Sequence, residues 1–297
     1  MTAMPEKAIL KTDLPGALSS RSGKVRDIYD YGDGMLIVAT DRISAFDAIM
    51  ANGIPGKGKI LTQLSLHWFS LLDAIIPTHL ISAAVSEFPE PVRGMGDILE
   101  GRTMWCKKAQ VIPVEAIVRG YLAGSGWKSY QKTGEICGHT LPEGLVLSDK
   151  LPEPIFTPTA KAESGHDWDM TRDEVADQLG KRLADKLEGT AIELYLAASE
   201  YAAEHGFIIA DTKFEFGLVD DEMILIDEVL TPDSSRYWDM NNYEPGKAQE
   251  AFDKQYVRDY LETLDWDKEP PGPELPAEVV ARTREIYMEA VRRLTGD

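Results

Sequence analysis

Between Ala210 and Arg236 the sequence ADTKFEFGLVDDEMILIDEVLTPDSSR alternates polar and apolar side chains with a period of two, which restricts it to a β-hairpin. Asp211, Lys213 and Glu215 fall on one face, Phe214 and Phe216 on the other. Asp220-Asp221-Glu222 reads as the turn and Met223–Leu230 as the return strand. Pairing centred on Asp221 sets Glu215 across from Asp227. Directly opposed side chains stand roughly 4.5–5.5 Å apart at Cβ, and like charges there destabilise a sheet. Two carboxylates held so close share a proton or a cation. With Lys213 on the same face, a Mg²⁺–phosphate site fits. A solvated hairpin with alternating exposed charges fits the same pattern.

The formal charge of −19 over 297 residues argues against nucleic acid as a partner, because phosphate-backbone binding needs a basic surface. Cations nevertheless gather in glycine-containing segments: Lys24 and Arg26, Lys57 and Lys59, Arg119, Lys161, Lys213 and Arg236. Such gathering suits a small anionic ligand, while the acidic surplus also keeps a surface soluble. No run of eighteen apolar residues is present, so no membrane span is expected. Cys106 and Cys137 make no disulfide framework, and five scattered histidines make no zinc pattern. The first residues lack the basic-then-apolar pattern of a signal peptide, and a cytoplasmic protein is expected.

Strand-like runs at Lys24–Tyr29 and Met35–Thr40 flank the turn Tyr31-Gly32-Asp33-Gly34, with Lys24, Arg26 and Ile28 on one face. An apolar helix follows over Ile60–Leu72, and Met104–Arg119 is rich in strand formers. Leu141–Thr159 reads as a proline-rich loop. Thr171 and Glu174 form a capping box that opens a helix with Val175, Leu179, Leu183 and Leu187 on one side. A second helix runs to about His205, where Gly206 stops it. Beyond the proline-rich stretch Trp266–Pro276 lies an amphipathic helix with Val280, Tyr287, Val291 and Leu294. This order of elements suggests α+β lobes rather than a regularly alternating parallel sheet.

Gly53–Ile60 nearly matches a P-loop, but Ile60 stands where a Ser or Thr would hold the metal, and the Walker reading is rejected. A flexible basic loop at Lys57–Lys59 remains. Gly124-Ser125-Gly126, after the β-rich run that ends at Arg119, leads into a helix expected near Trp127. Free amides at a helix start, a hydroxyl and an arginine make a phosphate pocket. A glycine turn with an N-cap serine fits those residues too. Arg236 returns a bidentate cation toward the acidic hairpin.

The segments GKVRDIYD, DRISAFD, GIPGKGKILTQLS, VEAIVRGYLAGSGWKSY, IFTPTAKAE, DTKFEFG and LIDEVLTPDSSRYWD, in order over residues 23–239, closely resemble the SAICAR synthetase family, in its longer, eukaryote-like branch. The resemblance implies a two-lobed α+β fold with an ATP-grasp-like or kinase-like nucleotide cleft and a C-terminal helix. It implies an N-terminal β-rich nucleotide-binding lobe over 1–108, a central α+β lobe with the metal and substrate sites over 109–245, and a C-terminal helical segment over 246–297. The implied reaction is ATP-dependent joining of L-aspartate to the carboxylate of carboxyaminoimidazole ribonucleotide (CAIR), with ADP and phosphate released; a monomer is expected.

By position, the resemblance makes Lys24 and Arg26 triphosphate contacts, sets the stretch around Lys107 and Val111 against adenine, and makes Lys161 a nucleotide contact. Glu215 and Asp227 become the Mg²⁺ carboxylates. Arg119, Ser125 and Arg236 become CAIR contacts, and Lys213 lies between the CAIR carboxylate and the γ-phosphate. Ser44–Asp47 and Lys57–Lys59 are candidate aspartate segments. A small-molecule kinase and a non-catalytic adenine-nucleotide sensor are the rival readings.

Overall fold

The computed structural model describes residues 7–160 and 168–296. They form two compact units, one of the chain up to His67, His79–Lys108 and the chain from Phe252, the other of Trp68–Thr78 and Ala109–Ala251.

In the first unit, β1 (Ser19–Ser22), β2 (Arg26–Asp30), β3 (Met35–Ala39), a two-residue hairpin of β4 (Ser44–Ala45) and β5 (Ala48–Ile49), β6 (Leu80–Ser82) and β7 (Thr103–Cys106) follow in sequence. Five of them make an antiparallel sheet in the order β1-β2-β3-β7-β6. Strand β2 alternates as expected: Asp27 and Tyr29 are buried, while Arg26, Ile28 and Asp30 stay partly exposed. The apolar residues of the buried face pack with Val85, Phe88, Val92 and Leu99, the last in the short helix α2 (Gly96–Leu99).

Helix α1 (Lys57–Leu72) begins three residues before the expected Ile60. The expected flexible basic loop is therefore a helical turn, and Lys57 is fully buried rather than extended toward a ligand. Gly58 is required there by packing: a Cβ would stand 2.0 Å from the Ala39 carbonyl oxygen. Its N–H donates to Asp41 Oδ1 at 2.9 Å, and Asp41 in turn pairs with the buried Arg102 at 2.8 Å. The C-terminal helices Gln255–Glu262 and Ala277–Thr295 also belong to this unit. Val257, Leu261, Leu275 and Val279 join Ile43, Ala45, Ala48, Met50 and Ile54 in one buried cluster. The helix stripe runs through Val279, Ile286, Tyr287, Val291 and Leu294, with Val280 only partly buried beside it.

The second unit is built on an eight-stranded sheet. Its members are β8 (Gln110–Val111), β9 (Val114–Tyr121), β12 (Lys150–Phe156), β13 (Thr159–Ala160), β14 (Trp168–Asp169), β15 (Phe207–Val219), β16 (Glu222–Ile226) and β17 (Ser235–Asp239). Strands β10 (Glu135–Ile136) and β11 (His139–Thr140) form a separate hairpin. Helix α3 spans Gly124–Thr133, starting earlier than the expected Trp127. Helix α4 (Arg172–Leu179) opens on the capping box. The expected continuous Val175–Leu187 stripe is broken at Gly180, whose φ of +80° ends α4 before α5 (Lys181–Glu204) begins. Helix α5 buries Leu187, Ala191, Leu194, Tyr195 and Ala198.

The stretch 141–159 departs from the expected loop. Strand β12 pairs with β9 at Lys150↔Tyr121 and again at Ile155↔Arg119, with a register shift between. Pro152 and Pro154 occupy the shifted stretch, where missing N–H groups break no regular ladder. Among the described residues, no helix is long and apolar enough to cross a membrane.

Candidate active site

Strand β15 organises the site because it is paired along both edges. On one edge β9 sets Arg119 opposite Asp211 and Ile117 opposite Lys213. On the other, β17 sets Arg236 opposite Asp211, and β16 sets Ile226 opposite Glu215. The period of two keeps Asp211, Lys213 and Glu215 on one face, with Arg119, Ile117 and Glu115 beside them on β9. Phe214 and Phe216 are fully buried on the other. Burial of each phenyl group contributes about 1.5–3 kcal/mol and pins which face turns inward.

A row of three charges crosses the sheet at Asp211. Its Oδ2 accepts from Arg119 Nη1 at 2.6 Å and also from Arg236 Nη1. Arg119 is further held by Nε donating to Thr157 Oγ1 and Nη2 donating to Ser125 Oγ, both at 3.0 Å. The Arg119 side chain is 5% exposed and that of Arg236 29%, so Arg236 is the one a ligand can reach directly. Arg236 lies across the backbone of Gly124, where α3 starts with no side-chain cap. Two guanidiniums, one carboxylate and the positive end of a helix leave this corner with a surplus of positive charge that suits an anion. Ser125 sits within the first turn rather than at the cap.

Two residues further along β15, Lys213 Nζ donates to Glu115 Oε1 at 2.8 Å and to Glu215 Oε1 at 2.9 Å. Burial lowers the Lys213 pKa, but the charges of Glu215, Glu115 and Asp227 outweigh it and leave it raised above the usual lysine value. Lys213 is thus an ammonium at any working pH and no general base. Thr159 Oγ1 orients Glu115 by donating to Oε2 at 3.1 Å.

The hairpin register differs from the expected one by one position. The loop is the pair Asp220-Asp221, with φ of +51° and +64°, not a three-residue turn. Positive φ at both central residues gives the tight turn whose twist matches antiparallel strands. Val219 therefore pairs with Glu222, and Glu215 faces Ile226 rather than Asp227. Asp227 lies just past β16 with φ +67°, and its charge still acts on Lys213.

A hard cation such as Mg²⁺ takes oxygen ligands, commonly one or two carboxylates together with phosphate and water. Glu215 and Asp227 offer oxygen donors only, and Lys213 between Glu115 and Glu215 shows that this corner draws positive charge. Among the described residues no group of three or more acids, histidines or cysteines forms a complete metal cage. The donors fit an ion that arrives with a phosphate.

The remaining expected residues are dispersed. Lys24, Arg26 and Lys107 lie in the first unit and Val111 in the second. Val111 is exposed on β8, opposite Gly217. Lys107 donates its N–H to the His79 carbonyl at 2.7 Å. Lys24 pairs with Asp47, and Lys161 lies outside the described residues. Glu115 and Thr157 were not among the expected residues, whereas Gly124 was expected at the start of the helix. The alternation Glu115–Ile117–Arg119 within a β-rich run was the available signal for the first. Thr157 acquires meaning only through Arg119, which donates to it.

An antiparallel sheet carrying an Arg–Asp–Arg row and a lysine set between carboxylates suits a ligand that brings more than one anionic group. Residues 19–273 match the SAICAR synthetase family model. The phosphoribosylaminoimidazole-succinocarboxamide synthase of Geotalea uraniireducens is 55% identical over 98% of both chains. The solved SAICAR synthase of Saccharomyces cerevisiae, complexed with SAICAR, matches with a TM-score of 0.89 and 44% identity, covering 98% of this chain and 99% of the yeast one. A type-2 SAICAR synthetase in complex with ADP matches at 0.68 and 26%, covering 94% and 98%. The chain belongs to the SAICAR synthetase family, the ATP-dependent carbon–nitrogen ligases of de novo purine biosynthesis.

Proposed function

We propose that this chain joins L-aspartate to the carboxylate of CAIR at the expense of ATP, through an acyl phosphate. The observation that carries the reading is the single strand β15, with the Arg119–Asp211–Arg236 row at one end and Lys213 among Glu115, Glu215 and Asp227 toward the other. Asp211 and Glu215 are four residues apart, about 13 Å along a strand. That spacing suits a ligand with a phosphate at one end and a carboxylate near the other.

Arg236, backed by Arg119 and Ser125, is assigned to the CAIR 5′-phosphate. Lys213 is assigned to the carboxylate and the phosphoryl group it receives. Lys24 and Arg26 are assigned to the triphosphate, the stretch around Lys107 and Val111 to adenine, and Lys161 to the nucleotide. Glu215 and Asp227 would hold Mg²⁺, which when bound supplies neutralisation of phosphate charge. A monomer in the cytoplasm is the proposed working form.

A carboxylate resists attack because its charge repels nucleophiles and oxide leaves poorly. A CAIR carboxylate oxygen attacks the γ-phosphorus while the bond to the ADP oxygen breaks. The aspartate amine then attacks the acyl carbon, the carbon–oxygen bond to phosphate breaks, and the amine proton passes to solvent. The protein contributes fixed charge and alignment. Lys213, permanently charged, offsets the developing negative charge and takes no proton.

ADP release measured with ATP, CAIR and aspartate omitted one at a time tests this reading. Steady turnover is expected only with all three, together with positional isotope exchange in ATP when CAIR is present and aspartate absent. Sustained ADP formation without aspartate, leaving a stable phosphorylated product, would mark a kinase instead.

A further inference from the structure

The segment Ser44–Ile49 is a hairpin of two-residue strands, paired Ser44↔Ile49 and Ala45↔Ala48. Its loop is Phe46-Asp47, with φ of +51° and +63°. Both central residues of such a turn need positive φ, which is why asparagine and glycine dominate there. A phenylalanine in that region is strained by sterics, and strain of this kind persists only where the surroundings hold it.

The holding contacts come from the C-terminal part of the chain. The Phe46 ring meets Trp266 edge-to-face, with centroids 6.4 Å apart. Lys268 Nζ sits 4.8 Å above the same ring. Trp266 is fixed by Nε1 donating to the Glu269 carbonyl at 2.9 Å, and Lys268 by Glu262 at 2.9 Å. Phe46 and Trp266 both pack on the cluster formed by Ile43, Ala45, Val257 and Leu275. With Phe46 anchored, the next side chain in the turn, Asp47, points outward to form an ion pair with Lys24. The two side chains are more than half exposed, so the pair is open to a competitor in solution.

We propose that Asp47 is a built-in counter-ion for Lys24, displaced when a nucleotide's phosphates bind, and that Phe46 against Trp266 holds it in place. The inference rests on the assignment of Lys24 to the triphosphate. A polyphosphate carries several negative charges against one on Asp47, so it wins the lysine, but only after breaking an existing pair. Asp47 therefore weakens nucleotide binding while keeping Lys24 extended and ordered without it.

Calorimetric titration of the full chain with Mg²⁺-ATP, without CAIR or aspartate, tests the idea. Asp47→Asn is expected to tighten ATP binding about threefold, the scale of an exposed ion pair. Trp266→Leu is expected to tighten it in the same direction, and to add nothing once Asp47 is already asparagine. Lys24→Met is expected to weaken binding and to abolish the effect of Asp47→Asn. If Lys24→Met weakens binding but Asp47→Asn does not tighten it, the counter-ion role fails while the phosphate assignment stands. Equal tightening by Asp47→Asn with or without Lys24 would reduce its effect to general charge and overturn the pair. Unchanged binding in Lys24→Met would take down both.

Discussion

Gly124 occupies a position that a side chain cannot share with Arg236. Its φ is +54°, and a Cβ there would stand 2.2 Å from Arg236 Nη2. Gly124→Ala is therefore expected to push the guanidinium off the start of α3 and raise the KM for CAIR about tenfold, the scale of one charge-assisted hydrogen bond. The KM for ATP should hardly move. Steady-state kinetics with each substrate varied in turn would check this, and a selective rise for ATP would contradict the placement of Arg236. Asp211 is the complementary case. Read along the sequence, it is one acid in an alternating strand. In the fold it lies between two arginines, each directly opposite it on a neighbouring strand. Its role comes from neighbours 92 and 25 residues away.

Strand β15 was legible as an element because the burial of Phe214 and Phe216 makes its periodicity unambiguous. The facing strand β16 was legible as an element but neither in register nor in extent, since it ends at Ile226 rather than at the expected Leu230. Whether Asp220-Asp221 or Asp220-Asp221-Glu222 makes the turn depends on backbone twist, which composition does not report. In β2 the alternation was equally clear, yet the meaning of Asp27 was hidden. Its carboxylate accepts from Arg42 Nη2 at 2.9 Å and from the backbone N–H and hydroxyl of Thr12. Burial raises the Asp27 pKa, but the hydrogen bonds from Arg42 and Thr12 outweigh it and hold it below the usual carboxylate range. A lowered folded-state pKa contributes stability that is present above the unfolded value of about 3.9 and is lost as pH falls through the folded one. Asp27→Asn, which leaves the buried Arg42 without its counter-charge, should cost about 3 kcal/mol at pH 7. The gap to the parent should narrow below about pH 4. Urea midpoints at pH 7 and pH 3 would test it; a gap that stays constant would remove Asp27 from the acid limb of stability.

On the scale of the molecule, the C-terminal helices complete the core of the first unit. Val257, Leu261, Leu275 and Val279 close the cluster that contains Ile43, Met50 and Ile54. Truncation after Ala251 is expected to expose that cluster and abolish cooperative unfolding of the first unit. Circular dichroism and limited proteolysis would report it, and a truncated chain with an unchanged melting transition would refute it. The sequence by itself determined the α+β class, the acidic hairpin, the capping box and the family, because periodicity, cap chemistry and ordered motifs are local properties of a chain. Only the tertiary structure decided that Glu115 joins Glu215 at Lys213, that Arg119 is locked while Arg236 is accessible, and that Asp47 meets Lys24. Those pairings depend on strand register and on which distant segments share a face, and a register shift of one residue exchanges every partner.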